Sequence, residues 1–334
     1  MSLMVLSSVR AHASPWVLPK GATVFEVKAG TDFASREFLI DDGREQEFPL
    51  DGRFESYRLQ LSSRYGAFEG VEFGAKISLQ SATYVSDPII LPSEPGSGNV
   101  CNGDGATLDG CEQQVTDFTS SEFGFSDLYL NSVIQHIGGN ARAASNIEIK
   151  IPTGYDAPAA TFEGNRPSAT AIADDVALGD GIVHLQYRLE TGAFIPSTGT
   201  VLEFAAGYRA RLESPGDQAI AEVKVGQNIG KNLFVFLGSD GAYTLFEGDV
   251  IETGDGQDAT TFTSNNPSTP AREFDPSEVE QREFRLDYDF LRATAGIIVR
   301  LDGREVVLSA STIFWGENIA RLSNISVGVV LPFR

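Results

Sequence analysis

The sequence lacks the features of several protein classes. Among its 334 residues there is no run of the ~18 apolar residues that a membrane-crossing helix needs. Basic residues are scarce: 25 Lys+Arg stand against 46 Asp+Glu, for a net charge of -21. That is the wrong sign for gripping phosphates, so no nucleic acid is expected as a partner. Histidine occurs only at His12, His136 and His184, and cysteine only at Cys101 and Cys111. No Gly-x-Ser-x-Gly elbow is present. With only two histidines after the signal segment and no nucleophile elbow, the chain is not expected to be an enzyme.

The acidity is confined to particular stretches. Residues 35–53, 85–122, 153–180 and 247–280 hold 27 Asp+Glu and 5 Lys+Arg, a balance of -22 that accounts for essentially the whole net charge. Between them lie near-neutral segments in which apolar and polar residues alternate. In 71–82, Val71, Phe73, Ala75, Ile77 and Leu79 oppose Glu72, Lys76, Ser78 and Gln80. The same period of two runs through 23–33, 54–65, 123–136, 143–151, 181–190, 200–212 and 219–229. The segment 232–246 begins apolar on both faces.

These segments are longer than ordinary soluble strands, which average ~5–6 residues. Their polar face carries full charges, which a dry sandwich core would not tolerate. Short connections at 66–70, 138–140 and 230–232 alternate with the long acidic ones. Short periplasmic turns and long external loops are the pattern of outer-membrane barrels. The fold class expected is therefore all-β, a transmembrane antiparallel β-barrel with about 12 strands and long acidic extracellular loops.

The last strand, 321–333, puts Ile325, Val327, Val329, Leu331 and Phe333 on one face. It is expected to close the barrel against 23–33. Within it, Ser326-x-Gly328-x-x-Leu331-x-Phe333 resembles the C-terminal signal by which bacterial outer-membrane barrels are recognised for insertion. That resemblance implies the barrel-assembly machinery as a partner and a Gram-negative outer membrane, with its lipid and lipopolysaccharide, as the destination. Residues 1–13 read as a residual signal peptide, with an apolar run at 3–9 and the small-x-small site Ala11-His12-Ala13 before Ser14. Residues 14–334 then form a single barrel domain. Before the final hairpin, apolar parity flips between Phe284, Leu286, Tyr288, Phe290 and Ala293, Ala295, Ile297, Val299. We read the flip as a bulge near Leu291–Arg292 within one long strand, 281–301. Tyr65, Tyr187, Tyr208, Tyr243, Phe314, Trp315 and Phe333 fall near strand ends, as interface girdles would.

The middle of the chain carries three short motifs: Gly124-x-x-Asp127-Leu128-x-Leu130, Lys150-Ile151-Pro152-Thr153-Gly154 and Leu178-Gly179-Asp180-Gly181. Over about 121–246, and more loosely in the last stretch, the chain resembles the meta-pathway phenol-degradation outer-membrane barrels. The resemblance implies a transporter of aromatic or hydrophobic compounds. Asp180 stands where the family's third motif has Ser. Further upstream, Asp42-Gly43-Arg44-Glu45 and Arg64-Tyr65-Gly66 are more like a neighbouring family of outer-membrane barrels.

The period of two points twelve charged side chains into the lumen: Arg58, Arg64, Lys76, Glu148, Lys150, His184, Arg188, Glu203, Arg209, Arg211, Glu222 and Lys224. They either form a polar pathway behind a cation-enriching acidic mouth, or pair across strands and fill the barrel. His184 is the one candidate base for a rival hydrolase reading, and His136 falls on the outer face. Segment 14–22 is a candidate plug, anchored by Trp16. Cys101 and Cys111 read as a disulfide in an exported protein. Carboxylates at Asp104, Asp109, Glu247, Asp249, Asp255 and Asp258 could hold Ca²⁺. Their spacing does not match an EF-hand, and a solvated acidic surface is favoured, so no cofactor or metal is expected. The function expected is a porin-like outer-membrane channel passing small molecules passively. The alternatives are a closed structural or surface-interaction barrel and, behind that, an outer-membrane hydrolase.

Overall fold

The structure, a computed structural model, describes residues 15–39, 43–48, 51–87, 89–92, 113–116, 119–155, 176–212, 215–249, 252–256, 262–263, 272–274, 280–284 and 286–333. Twelve antiparallel strands close into one barrel. They are β1 (Thr23–Ala34), β2 (Arg53–Phe68), β3 (Val71–Val85), β4 (Ser120–Ile137), β5 (Ala141–Ile151) and β6 (His184–Ile195). The second half is β7 (Thr200–Arg211), β8 (Gln218–Ile229), β9 (Leu233–Thr244), β10 (Asp289–Leu301), β11 (Arg304–Glu317) and β12 (Ser323–Phe333). Each strand pairs with its neighbours in the chain, and β12 returns to β1 in unbroken register from Thr23↔Phe333 to Phe33↔Ser323. Closure leaves no edge strand with unpaired backbone groups, the condition a sheet must meet in lipid.

The alternation works as the sequence implies. Leu59, Leu61, Leu185, Leu189, Val223, Val225, Leu308 and Val327 all face outward and are exposed. In water so much bare apolar surface would be a liability, but around a closed barrel it is the lipid-facing band. The barrel therefore sits in the outer membrane. Aromatic side chains ring this band: Tyr65, Tyr187, Tyr208, Tyr243, Phe314 and Phe333 are exposed, and Trp315 is half-buried. His136 is exposed on the same surface, its Nε2 2.7 Å from Ser145 Oγ.

One end of the barrel carries only tight connections. One of them, 302–303, has Asp302 and Gly303 both at positive φ, a two-residue turn that matches the twist of the strands it joins. At the other end, short outer strands extend from the upper connections. Arg36–Phe38 pairs with Glu45–Glu47 and with Ile319–Ala320. Ile89–Pro92, Gln113–Thr116, Phe262–Thr263 and Arg272–Phe274 form a four-stranded sheet, and Glu252–Gly256 pairs with Glu280–Phe284. Cys101, Cys111, Asp104, Asp109 and Asp258 lie outside the described residues. No group of three His, Cys, Asp or Glu side chains suited to a metal occurs among the described ones.

Two expectations of register need correction. The stretch 281–301 is not one strand, because Glu280–Phe284 belongs to the outer hairpin and the barrel strand begins at Asp289. The irregularity does fall at Leu291/Arg292, but the extra residue is on the partner strand: Leu291 faces Trp315 and Arg292 faces Ile313, so Phe314 is the unpaired one. Along β10 the parity never flips, since Phe290 and Arg292 line the same internal cavity. An aromatic on the inner face looked like an outward residue in the sequence. A second bulge does turn the chain, on β4, where Ile77 faces Leu128 and Leu79 faces Phe125. Phe123 and Phe125 point to lipid above it, whereas Ser126 and Asp127 are both buried.

Candidate functional site

The inner face of the barrel is built in two zones. The lower zone, near the tight turns, holds most of the inward apolar side chains, Val24 on β1, Val133 on β4, Ala144 on β5, Val201 on β7, Phe234 and Phe236 on β9, Ile298 on β10, Val307 on β11 and Val330 on β12, with buried paired charges such as Glu72, Glu203 and Glu305 set among them. They surround the segment before β1. Trp16, 5% exposed, packs on Val201, Phe234, Phe236 and Ile298. Val17 packs on Val133 and Ala144, and Leu18 on Val24, Val307 and Val330. Three successive residues thus contact three different sectors of the wall, which places the segment across the lumen.

Polar contacts fix it there. Trp16 Nε1 donates to Glu203 Oε1 at 2.8 Å, and the Leu18 amide donates to Glu72 Oε2 at 2.8 Å. The Arg142 guanidinium lies over the Trp16 ring, 4.6 Å from its centroid. Gly21 N donates to Gly66 O and Gly66 N to Ala22 O. A Cβ on Gly66 would stand 2.2 Å from Pro19 O, so glycine is needed there for the two backbones to meet. Glu72 and Glu203 are buried but each has a positive partner: Arg64 Nη1 lies 3.2 Å from Glu72, and Lys224 Nζ contacts Glu203.

The upper zone is a lattice of charges. Arg58 bonds Asp32 at 2.7 Å and Arg292 bonds Asp240 at 2.7 Å. Arg188 lies 3.7 Å from Glu190 and 3.9 Å from Glu222. Glu148 accepts from Gln186 at 3.4 Å, and Arg209 bridges Gln186 and Gln218. Arg211 bonds Asp287 at 2.6 Å and faces the Tyr288 ring. Lys76 sits over the Tyr129 ring at 3.6 Å. Asp32, Glu72, Glu190, Asp240 and Arg292 share the inward parity of the twelve residues named from the sequence; the first three pair with Arg58, Arg64 and Arg188, and the last two with each other. That parity was the signal that could have found them.

The three middle motifs meet at one point in space. Lys150 Nζ lies 3.4 Å from Asp127 Oδ2 and contacts Asp180, and His184 Nε2 lies 2.9 Å from Asp180 Oδ2. Tyr155 OH donates to Asp127, and Thr153 Oγ1 bonds the carbonyls of Phe125 and Ser126 at the β4 bulge. The cluster ties both ends of the 152–183 connection to the barrel rim. Burial alone would push the Asp180 carboxyl up, but the His184 hydrogen bond and the charge of Lys150 hold it below the usual Asp range. Among the described residues no Ser or Thr hydroxyl is hydrogen-bonded to His184. The partner the structure gives His184 is Asp180.

Two cavities open inside the lumen. One, of about 250 Å³, lies along β1–β4, β11 and β12 and reaches down to Val24, Val133, Val307 and Val330 of the lower zone. The other, of about 270 Å³, lies toward β7–β9 and includes both Arg188 and Arg209. They share Arg58, Gln60, Lys76, Tyr129, Glu148 and Arg292.

No family model and no curated protein matches the chain. Among solved structures it is similar to the COG4313 outer membrane channel from Pseudomonas putida F1, with a TM-score of 0.61 at 10% identity over 98% of this chain and 99% of that one. Weaker likenesses, both with a TM-score of 0.40, are to the translocator domain of the autotransporter NalP from Neisseria meningitidis (11% identity, 95% of this chain, 89% of that one) and to the CymD monoaromatic hydrocarbon channel (10% identity, 94% and 88%). At 10% identity the first of these likenesses shows the barrel fold alone.

Proposed function

We propose that this barrel is a passive outer-membrane channel for small molecules, closed at its periplasmic end by residues 15–18. One observation carries the reading. Two adjoining polar cavities occupy the lumen, and what blocks the way below them is a segment held by side-chain packing and hydrogen bonds rather than by the wall itself. The similar Pseudomonas putida structure is described as an outer membrane channel, which agrees. A preference for hydrophobic or aromatic solutes is supported by the Phe234, Phe236 and Phe194 seat, which would be bared when Trp16 leaves. Insertion through the Ser326, Gly328, Leu331 and Phe333 signal, and lipopolysaccharide around the rim, belong to the same proposal. So does a disulfide between Cys101 and Cys111.

The closed-barrel alternative also has an observation in its favour: the luminal charges are extensively paired, and Glu72 and Glu190 are fully buried. Planar bilayers decide between them. The purified protein, or the protein lacking residues 15–20, is expected to give discrete conductance steps and liposome flux of small solutes. Silence from both forms would sink the channel and leave the closed barrel.

A further inference from the structure

The lipid-facing band is broken by a groove. Across β8–β12, in the half nearer the tight turns, a concavity of about 760 Å³ opens on the outer surface. Its centre is one cross-strand row, Leu237–Ala295–Ala310–Ile325. Two methyl groups thus stand between two long side chains, and Leu237 and Ile325 are exposed. Gly296, beside Ala295, adds bare backbone to the floor. It has no room for a side chain on its inner side, where a Cβ would stand 2.4 Å from the Phe236 ring. No charged side chain lines the groove.

The turns below it carry charge. Lys231 lies in the β8–β9 turn and Arg304 opens β11 beside the 302–303 turn, and both are exposed. The two turns are neighbours, since Arg300 N donates to Asn232 O at 2.8 Å. Asp302 shares the second turn. Even so, among the described residues neither the Lys231 nor the Arg304 side chain has a hydrogen bond or an ion pair.

An empty groove forfeits dispersion contacts along its whole length. A second barrel would meet this convex wall along a line and bridge the groove without filling it. A single acyl chain is narrow, flexible and apolar, and a phosphate at its head would meet the two cations. We propose that the groove seats one acyl chain of an anionic phospholipid of the periplasmic leaflet, with its phosphate at Lys231 and Arg304. The site goes beyond the channel reading and does not depend on conduction.

Quenching of tryptophan by phospholipid with brominated acyl chains tests it, on the full chain in phosphatidylcholine bilayers. In a Trp315→Phe background, Trp16 is buried in the lumen and gives a constant signal. Ile325→Trp reports the groove, and Leu130→Trp, on β4 across the barrel, reports ordinary wall. Brominated phosphatidylglycerol is expected to half-quench the groove reporter at a mole fraction about fivefold lower than the wall reporter. Brominated phosphatidylcholine should show a smaller difference. Lys231→Gln combined with Arg304→Gln should reduce the phosphatidylglycerol difference to that smaller value. Ala295→Leu combined with Ala310→Leu fills the groove and should abolish it. Folding is checked by heat-modifiable gel migration, and if a variant does not fold, the two lipids on the two reporters still decide. Equal quenching of both reporters, an equal difference with both lipids, or a difference that either folded variant leaves unchanged would each overturn the proposal. A groove reporter that neither lipid reaches would overturn it too, and would place a second copy over the groove.

Discussion

The lower and upper zones of the lumen are lined by the same strands, yet they follow opposite rules. Near the periplasmic turns the inner face gathers most of its apolar side chains, which Trp16, Val17 and Leu18 cover, and its charges are few and paired. A few residues higher on those strands it is charged, and most charges are satisfied by one another. An apolar patch inside a water-accessible barrel must have a cover, because leaving it wet forfeits ~25 cal/mol per Å². A charged patch needs partners but no cover. The difference teaches where to look for the moving part: it sits where inward apolar residues gather.

Breaking the lower zone should have the largest effect. Trp16→Ala removes the main apolar anchor, an indole hydrogen bond and a cation–π contact, and should cost segment docking ~3–5 kcal/mol. With Cys101 and Cys111 replaced by Ser, a Val17→Cys reporter, buried in the parent, is expected to react slowly with maleimide, and rapidly once Trp16 is Ala. Slow labelling in both would show that Trp16 does not hold the segment. Gly66→Val should come next, at ~1–3 kcal/mol, since its first side-chain carbon would meet Pro19 O at 2.2 Å. Tryptophan emission in a Trp315→Phe background isolates Trp16, and this variant should red-shift it.

The upper zone should be harder to disturb. Asp180 has a depressed pKa in the folded protein. Its contribution to the rim is therefore complete above the ordinary Asp value of ~3.9 and fades as pH falls through the lower folded value. Parent thermal stability should drop at the acid end, and Asp180→Asn should flatten that part of the profile. An unchanged profile in the variant would assign the acid loss to another group. The smallest effect is expected at Glu45, which bonds Arg36 and Arg321 on the exposed outer strands. Glu45→Gln should leave the melting temperature essentially unmoved, as exposed pairs in water contribute little. A clear drop would show that these strands brace the rim.

Strand number, closure and sidedness were legible because a period of two is imposed on every strand by lipid on one side and polar lumen on the other. Legibility failed where a local partner overrode that period. Tyr288 and Phe290 read as lipid-facing but stack on each other inside the outer mouth, with Arg211 over Tyr288 and Arg292 over Phe290. The β4 bulge that turns Ser126 and Asp127 inward leaves no compositional trace. The doubly apolar start of 232–246 was visible as an irregularity; its meaning required seeing Trp16 against Phe234 and Phe236. The meeting of Asp180 with Asp127 and Lys150 could not be read from spacing, because the long 152–183 connection lies between them, whereas Asp127 and Lys150 are neighbours across the hairpin closed at 138–140.

The central claim is that residues 15–18 close an otherwise passable lumen. Single-channel recording of the parent against the same protein lacking residues 15–20 tests it most directly. The account predicts conductance several-fold larger after the deletion, with the folded barrel still migrating as such on unheated gels. Equal conductance in the two would contradict it, because the barrier would then lie in the charged wall that both proteins share.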